Sequence, residues 1–142
     1  MSLFKKLFCR KIKKTETQSP VPESIAPTQF RKEEFAFDSF QDLSATEAAR
    51  KVEQGEVQVL DVRFEYEYRS HRIPGAKLIP LPQLAGHYQE LDPTKPTLVV
   101  CEHGMRSVRA CSFLGSKGFS RLYNMVGGMS EYLGRQEGES AK

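Results

Sequence analysis

Thr97-Leu98-Val99-Val100-Cys101-Glu102-His103-Gly104-Met105-Arg106-Ser107 is the stretch on which the reading of this chain turns. Thr97 to Val100 is a continuous β-branched and apolar run with no polar alternation, the pattern of a strand buried on both faces. It ends on Cys101. From Arg106 to Lys117 the spacing is helical, with Val108, Ala110, Cys111 and Leu114 on one side and Gly118 as the stop. A strand, a short loop and a helix therefore follow one another, and the loop lies at the strand's carboxyl end. The first turn of a helix leaves four backbone N–H groups unpaired, so such a loop makes an anion site with the help of the helix dipole. A cysteine at its head is expected to favour thiolate over thiol and to act as a nucleophile. Arg106 is expected to add a permanent positive charge at the rim. Gly104 lets the loop turn tightly, and Ser107 can cap the helix or donate its hydroxyl to the sulfur.

Working outward, Ser44 and Glu47 form a capping box ahead of a helix that Gly55 ends. Val57 to Val62 reads as a buried strand and Phe64 to Arg69 as a short helix. Ile73-Pro74-Gly75-Ala76 is a turn, and Ala76 to Ile79 a short strand. Pro82 opens a helix toward Leu91, which Asp92-Pro93 stops. Leu122 to Met125 is a last strand, and Gly127-Gly128 turns into a final helix ending near Gly134. Strands separated by helices predict an α/β domain with a mostly parallel central sheet and helices on both faces. Ligands bind such sheets at the carboxyl ends of the strands, where Cys101 sits.

Of the 142 residues, 27% are charged and the net charge is +3, but the distribution is uneven. Residues 1–14 hold six bases and no acid; the rest of the chain then has 15 bases against 18 acids, a net of −3. A basic head on an acidic domain argues against nucleic-acid binding by the folded surface. On a helical wheel Leu3, Phe4, Leu7 and Phe8 share one arc opposite Lys5, Lys6 and Cys9, an amphipathic pattern. Three readings of residues 1–14 stay open: a disordered basic tail, a helix for an anionic membrane surface or a partner, and a targeting peptide. Residues 15–38, with Pro20, Pro22 and Pro27, read as a linker, and Phe30, Phe35, Phe37 and Phe40 as an entry segment packing on the domain. The domain is expected over 39–135 and a flexible tail over 136–142. Three scattered cysteines exclude a disulfide scaffold and favour a reducing, cytoplasmic setting. No apolar run is long enough to span a membrane, and no Cys/His cluster suggests a metal.

In order and spacing, Leu60-Asp61-Val62-Arg63, Glu67-Tyr68, Ile73-Pro74-Gly75-Ala76, Ile79-Pro80-Leu81, the Cys101–Ser107 loop, Gly118-Phe119, Asn124 and Gly127-Gly128-Met129 resemble a single-domain rhodanese, a thiosulfate or persulfide sulfurtransferase. The resemblance covers about residues 40–135. It implies that Cys101 attacks the outer sulfur of a small anionic donor and carries a persulfide bound by Glu102, His103, Gly104, Met105, Arg106 and Ser107. A thiol, cyanide or an acceptor protein then takes the sulfur, with no cofactor. Asp61 and Arg63 are expected to support neighbouring loops. Four residues separate Cys101 from Arg106, one fewer than in cysteine phosphatases, so a narrow ring of amides too small for a tetrahedral oxyanion is expected, with the thiol within reach of solvent. A sulfur-relay or partner-binding module is the alternative, with phosphatase-like activity behind it. The chain departs from the family's pattern at His71-Arg72, where Gly-His is frequent, and at Tyr132, where Trp is frequent. His71 and His87 read as solvated, Cys111 as core, and Glu102 as an acid that weakens binding of a dianion.

Overall fold

The computed structural model describes residues 40–140. Residues 1–14 and the linker at 15–38 lie outside the described residues, so the readings of that region are not addressed by it.

Five strands form one parallel sheet in the order β1-β5-β4-β2-β3. They are β1 (Phe40–Leu43), β2 (Gln58–Asp61), β3 (Lys77–Leu78), β4 (Thr97–Val100) and β5 (Leu122–Met125). The expected α/β architecture is therefore present, with β4 at the centre and all four of its residues buried. Three α-helices of a turn and a half or more pack around it: α1 (Ala45–Glu53), α2 (Glu65–Ser70) and α4 (Met105–Ser116). A shorter one, α3 (Leu84–His87), lies between two 3-10 turns, Leu81–Gln83 and Tyr88–Glu90. The helix expected from Pro82 to Leu91 is thus broken into three pieces, with Gly86, a poor helix former, in the middle one.

Two apolar clusters lie on the two faces. Val62, Val99, Cys101, Ala110, Cys111, Leu114 and Leu84 pack together on the α4 face. Leu43, Ala48, Leu98, Val100, Met125 and Tyr132 pack on the α1 face. Alternation along β4 explains the division: Val99 and Cys101 face α4, while Leu98 and Val100 face α1. The same alternation puts Leu122 and Asn124 of β5 toward α4. The α1 cap forms as read, with Ser44 Oγ accepting from the Glu47 amide at 3.2 Å and Glu47 returning the bond to the Ser44 amide at 2.9 Å.

Three expectations change. Phe40, read with Phe30, Phe35 and Phe37 as an entry segment, instead opens a strand, Phe40–Leu43, that among the described residues lies at the sheet edge and pairs with β5. Its exposed Gln41 and Asp42 hide it from a search for apolar runs, since an edge strand is covered less completely. The final helix expected after Gly127 is a single 3-10 turn, Gly128–Ser130, whose Met129 and Ser130 amides bind the loop after β4, as shown below. The described part of the expected flexible tail is fastened: Arg72 and Glu137 exchange two backbone hydrogen bonds, and the Glu139 and Ser140 amides donate to the Arg69 and Ser70 carbonyls.

Candidate active site

The loop after β4 presents Cys101 to the first turn of α4. Gly104 is the residue before that helix, with φ of 91°, and a Cβ there would press on the Gly127 backbone nitrogen at 3.2 Å. The left-handed backbone strains any side chain there, and the space leaves it a tight fit. This turn points the Gly104 N–H at Cys101 Sγ, 3.0 Å away. Ser107 Oγ lies 3.3 Å from the same sulfur.

Gly128 approaches the loop from behind. A Cβ at this position would collide with the carbonyl oxygens of Cys101 and Glu102. That closeness lets the Met129 amide donate to the Cys101 carbonyl (2.8 Å) and the Ser130 amide to the Glu102 carbonyl (3.0 Å). The segment that would have been a helix is spent on holding the loop.

The charges differ from expectation in arrangement. Arg106 is not a free cation at the rim. Its guanidinium donates to both carboxylate oxygens of Glu67, at 2.8 and 2.7 Å. That bidentate bond holds the Glu67 carboxyl below its ordinary 4.5, against the opposing pull of partial burial, and raises Arg106. Glu102 is not a free acid beside the nucleophile either, because Arg63 Nη1 donates to its Oε2 at 3.0 Å. Arg63 is fully buried, and it also clasps Asp61 (Nη2 to Oδ2, 2.7 Å) and donates to the His71 carbonyl at 2.6 Å. Burial alone would lower the guanidinium's pKa; Asp61 and Glu102 more than offset it. His71, read as solvated, has a half-buried ring with Nε2 3.6 Å from Glu102. His87 is exposed and meets Glu90 at 2.8 Å. His103 and Met105 are exposed, so the loop gathers Cys101, Gly104 and Ser107 at its floor and leaves those two side chains outside.

The sulfur itself departs from expectation. Cys101 is 1% exposed, so it is not open to solvent as read; it sits beneath the loop. At the sulfur the ring of amides reduces to one donor within hydrogen-bond distance, that of Gly104. Cys111 is buried as core, and burial pushes its thiol up to about 12.

Asn124 and Asp42 were not singled out as site residues. Ser107 donates to Asn124 Oδ1 at 2.6 Å, and Asn124 Nδ2 donates to Asp42 Oδ1 at 2.8 Å. Glu67, though part of a recognised motif, carried no assigned role. For Glu67 the available signal was its position one turn into a short helix after β2. Asp42 offered none, because only the pairing of β1 with β5 brings it opposite Asn124.

A parallel α/β sheet with a buried cysteine held in the loop between its central strand and the next helix defines the class of the protein. The chain belongs to the rhodanese-like domain family, whose model matches residues 44–135. It is similar to the thiosulfate sulfurtransferase GlpE of Shewanella oneidensis, 32% identical over 94 residues that cover 66% of this chain and 93% of that protein. It is also similar to the putative sulfur carrier protein YrkF of Bacillus subtilis, 32% identical over 100 residues, 70% of this chain and 54% of that protein. Among solved structures, the rhodanese-like domain protein of Staphylococcus aureus superposes with a TM-score of 0.62 at 26% identity, covering 72% of this chain and 96% of that one. No helix of the described residues is long and apolar enough to cross a membrane.

Proposed function

We propose that this protein is a sulfurtransferase that carries sulfane sulfur as a persulfide on Cys101. The observation that carries the proposal is the inward Gly104 amide, 3.0 Å from Sγ at the carboxyl end of the central strand. A sulfur anion is the species that such a donor favours. In the first step the Cys101 thiolate attacks the outer sulfur of the donor. A new S–S bond forms, the donor's S–S bond breaks, and its electron pair leaves with sulfite or with a thiolate. In the second step an acceptor attacks the outer sulfur, and the Cys101 thiolate leaves. The exchange needs no cofactor.

The charge arrangement favours a persulfide donor over thiosulfate. The Arg106–Glu67 pair is neutral, and Arg63 is shared between two carboxylates, so neither of these two arginines offers an uncompensated charge to a dianion. The acceptor reading follows from what surrounds the loop. Phe64, Tyr66, Met105 and Val126, in the segments that follow the carboxyl ends of β2, β4 and β5, are 46%, 72%, 77% and 48% exposed. Apolar surface of this kind suits protein contact, and it supports a protein thiol as acceptor in a sulfur relay. A reducing, cytoplasmic setting fits a site that needs a free thiol.

Mass spectrometry after incubation with thiosulfate or glutathione persulfide tests the proposal. One added sulfur, about 32 Da, is expected on Cys101 and not on the Cys101→Ala protein. Because Cys101 is 1% exposed, the experiment also measures whether the loop admits the donor. Failure of every donor to load Cys101 refutes sulfur transfer, and hydrolysis of an aryl phosphate would favour phosphatase chemistry instead. Slow turnover with cyanide but rapid transfer to a protein thiol, weakened by Tyr66→Ser, would select the relay.

A further inference from the structure

Asp42, Asn124, Ser107 and Cys101 form one chain of hydrogen bonds whose direction is dictated by its far end. Asp42 lies on β1 directly opposite Asn124 on β5, with both side chains on the α4 face of the sheet. A carboxylate only accepts, so Asn124 must turn its NH2 toward Asp42. That fixes its carbonyl oxygen toward Ser107. The Ser107 hydroxyl has one proton and gives it to Asn124 at 2.6 Å. What Ser107 then offers Cys101, 3.3 Å away, is a lone pair. Ser107 is fully buried and Asn124 is 3% exposed, so neither readily exchanges these partners for water.

We infer that Asp42 and Asn124 are positioning residues that set the Ser107 hydroxyl as an acceptor toward Cys101 Sγ, so that a thiol there finds a partner for its proton and a thiolate has one donor fewer. The thiol S–H donates to Ser107 while the Gly104 amide donates to the sulfur. Loss of the proton leaves the thiolate facing a lone pair. The thiolate gains a second donor only if Ser107 turns its O–H from Asn124 to the sulfur, which strands a buried Asn124 oxygen. The proposal rests on the sulfurtransferase reading only in taking Cys101 sulfur as the reacting atom.

Other charges near the sulfur do not reproduce this control. Asp61, Arg63 and Glu102 are ion-paired together beneath the loop, and Glu67 with Arg106 beside it. His71 lies against the Arg63–Glu102 pair, His103 is exposed, and Cys111 stays protonated, pushed up to about 12. None of these groups hydrogen-bonds Ser107.

The test is a pH titration of thiolate ultraviolet absorbance in the full chain, taken as the difference from the matching Cys101→Ala protein. It requires no sulfur donor and no access to the sulfur, so it is readable whether or not Cys101 loads. Asn124→Ala frees the Ser107 proton for the sulfur, and the Cys101 midpoint is expected to fall by about one pH unit, a tenfold change in ionisation. Asp42→Ala, on the exposed edge strand, releases the Asn124 amide to rotate and is expected to shift the midpoint the same way. It is also the usable variant if Asn124→Ala does not fold. Asp42→Asn removes the charge but keeps an acceptor oxygen, and its shift is expected to be smaller. In a Ser107→Ala background these shifts should vanish. Midpoints that stay or rise in Asn124→Ala and Asp42→Ala would overturn the inference. So would equal shifts in Asp42→Asn and Asp42→Ala, or shifts that survive in Ser107→Ala.

Discussion

Replacing Arg63 by methionine removes the cation that, among the described residues, pairs with the buried Asp61. The guanidinium holds Asp61 through Nε at 3.0 and 3.1 Å and through Nη2 at 2.7 Å, and both side chains are 0% exposed. After the change Asp61 keeps only the backbone N–H of residue 63, at 3.0 Å, among these partners. Breaking a buried ion pair from one side costs about 3–5 kcal/mol. A domain of this size holds about 5–15 kcal/mol in total, so the loss is a large share of it. With about 4 °C or more per kcal/mol, the melting temperature is expected to fall by at least 12 °C. Two further contacts go at the same time, to Glu102 and to the His71 carbonyl. Urea unfolding of both proteins at neutral pH measures the difference as a change in midpoint at constant slope. The double variant Asp61→Leu with Arg63→Met removes both charges and is expected to recover much of the loss, because no buried charge is left unpaired. A single-variant cost below about 1 kcal/mol, or a double variant that loses the sum of the two singles, would refute this account of the pair.

Three other outcomes are expected. Glu67 has its carboxyl held below 4.5 by Arg106, so it contributes stability above that pH and loses the contribution as pH falls through its folded-state value. Melting curves of the protein and of Glu67→Gln should accordingly differ at neutral pH and converge in acid; a gap that widens in acid contradicts the pairing. Gly128→Ala would drive a methyl into the Cys101 and Glu102 carbonyls at a φ of 63°, and a loss of roughly 2 kcal/mol or more is expected in urea melts, with weaker sulfur loading. The Tyr132 hydroxyl is buried without a hydrogen-bond partner among the described residues, so Tyr132→Phe is expected to be neutral or to raise stability by about 1 kcal/mol. A clear loss on calorimetry would mean that the hydroxyl has a partner in solution.

Sequence alone settled those features whose causes lie within a few residues of one another. The apolar run of β4, the Ser44–Glu47 cap, the Pro74-Gly75 turn and the loop from Cys101 into α4 each rest on local backbone preference, and each formed. It was silent where an element depends on a distant neighbour for its reason to exist. β1 is a strand because β5 offers an edge, and the Met129 and Ser130 amides bind the loop after β4. The charges show the difference most sharply. As letters, Arg106 and Glu102 are a free cation and a free anion beside a cysteine. Folding brings each to an opposite charge 39 residues away, Glu67 and Arg63, and brings Asp42 to Asn124 across 82 residues. Coulomb attraction and hydrogen bonding act through space and take no account of chain separation. Which charges stay free, how deep the sulfur lies and which way Ser107 points its proton were therefore decided only by the packed sheet.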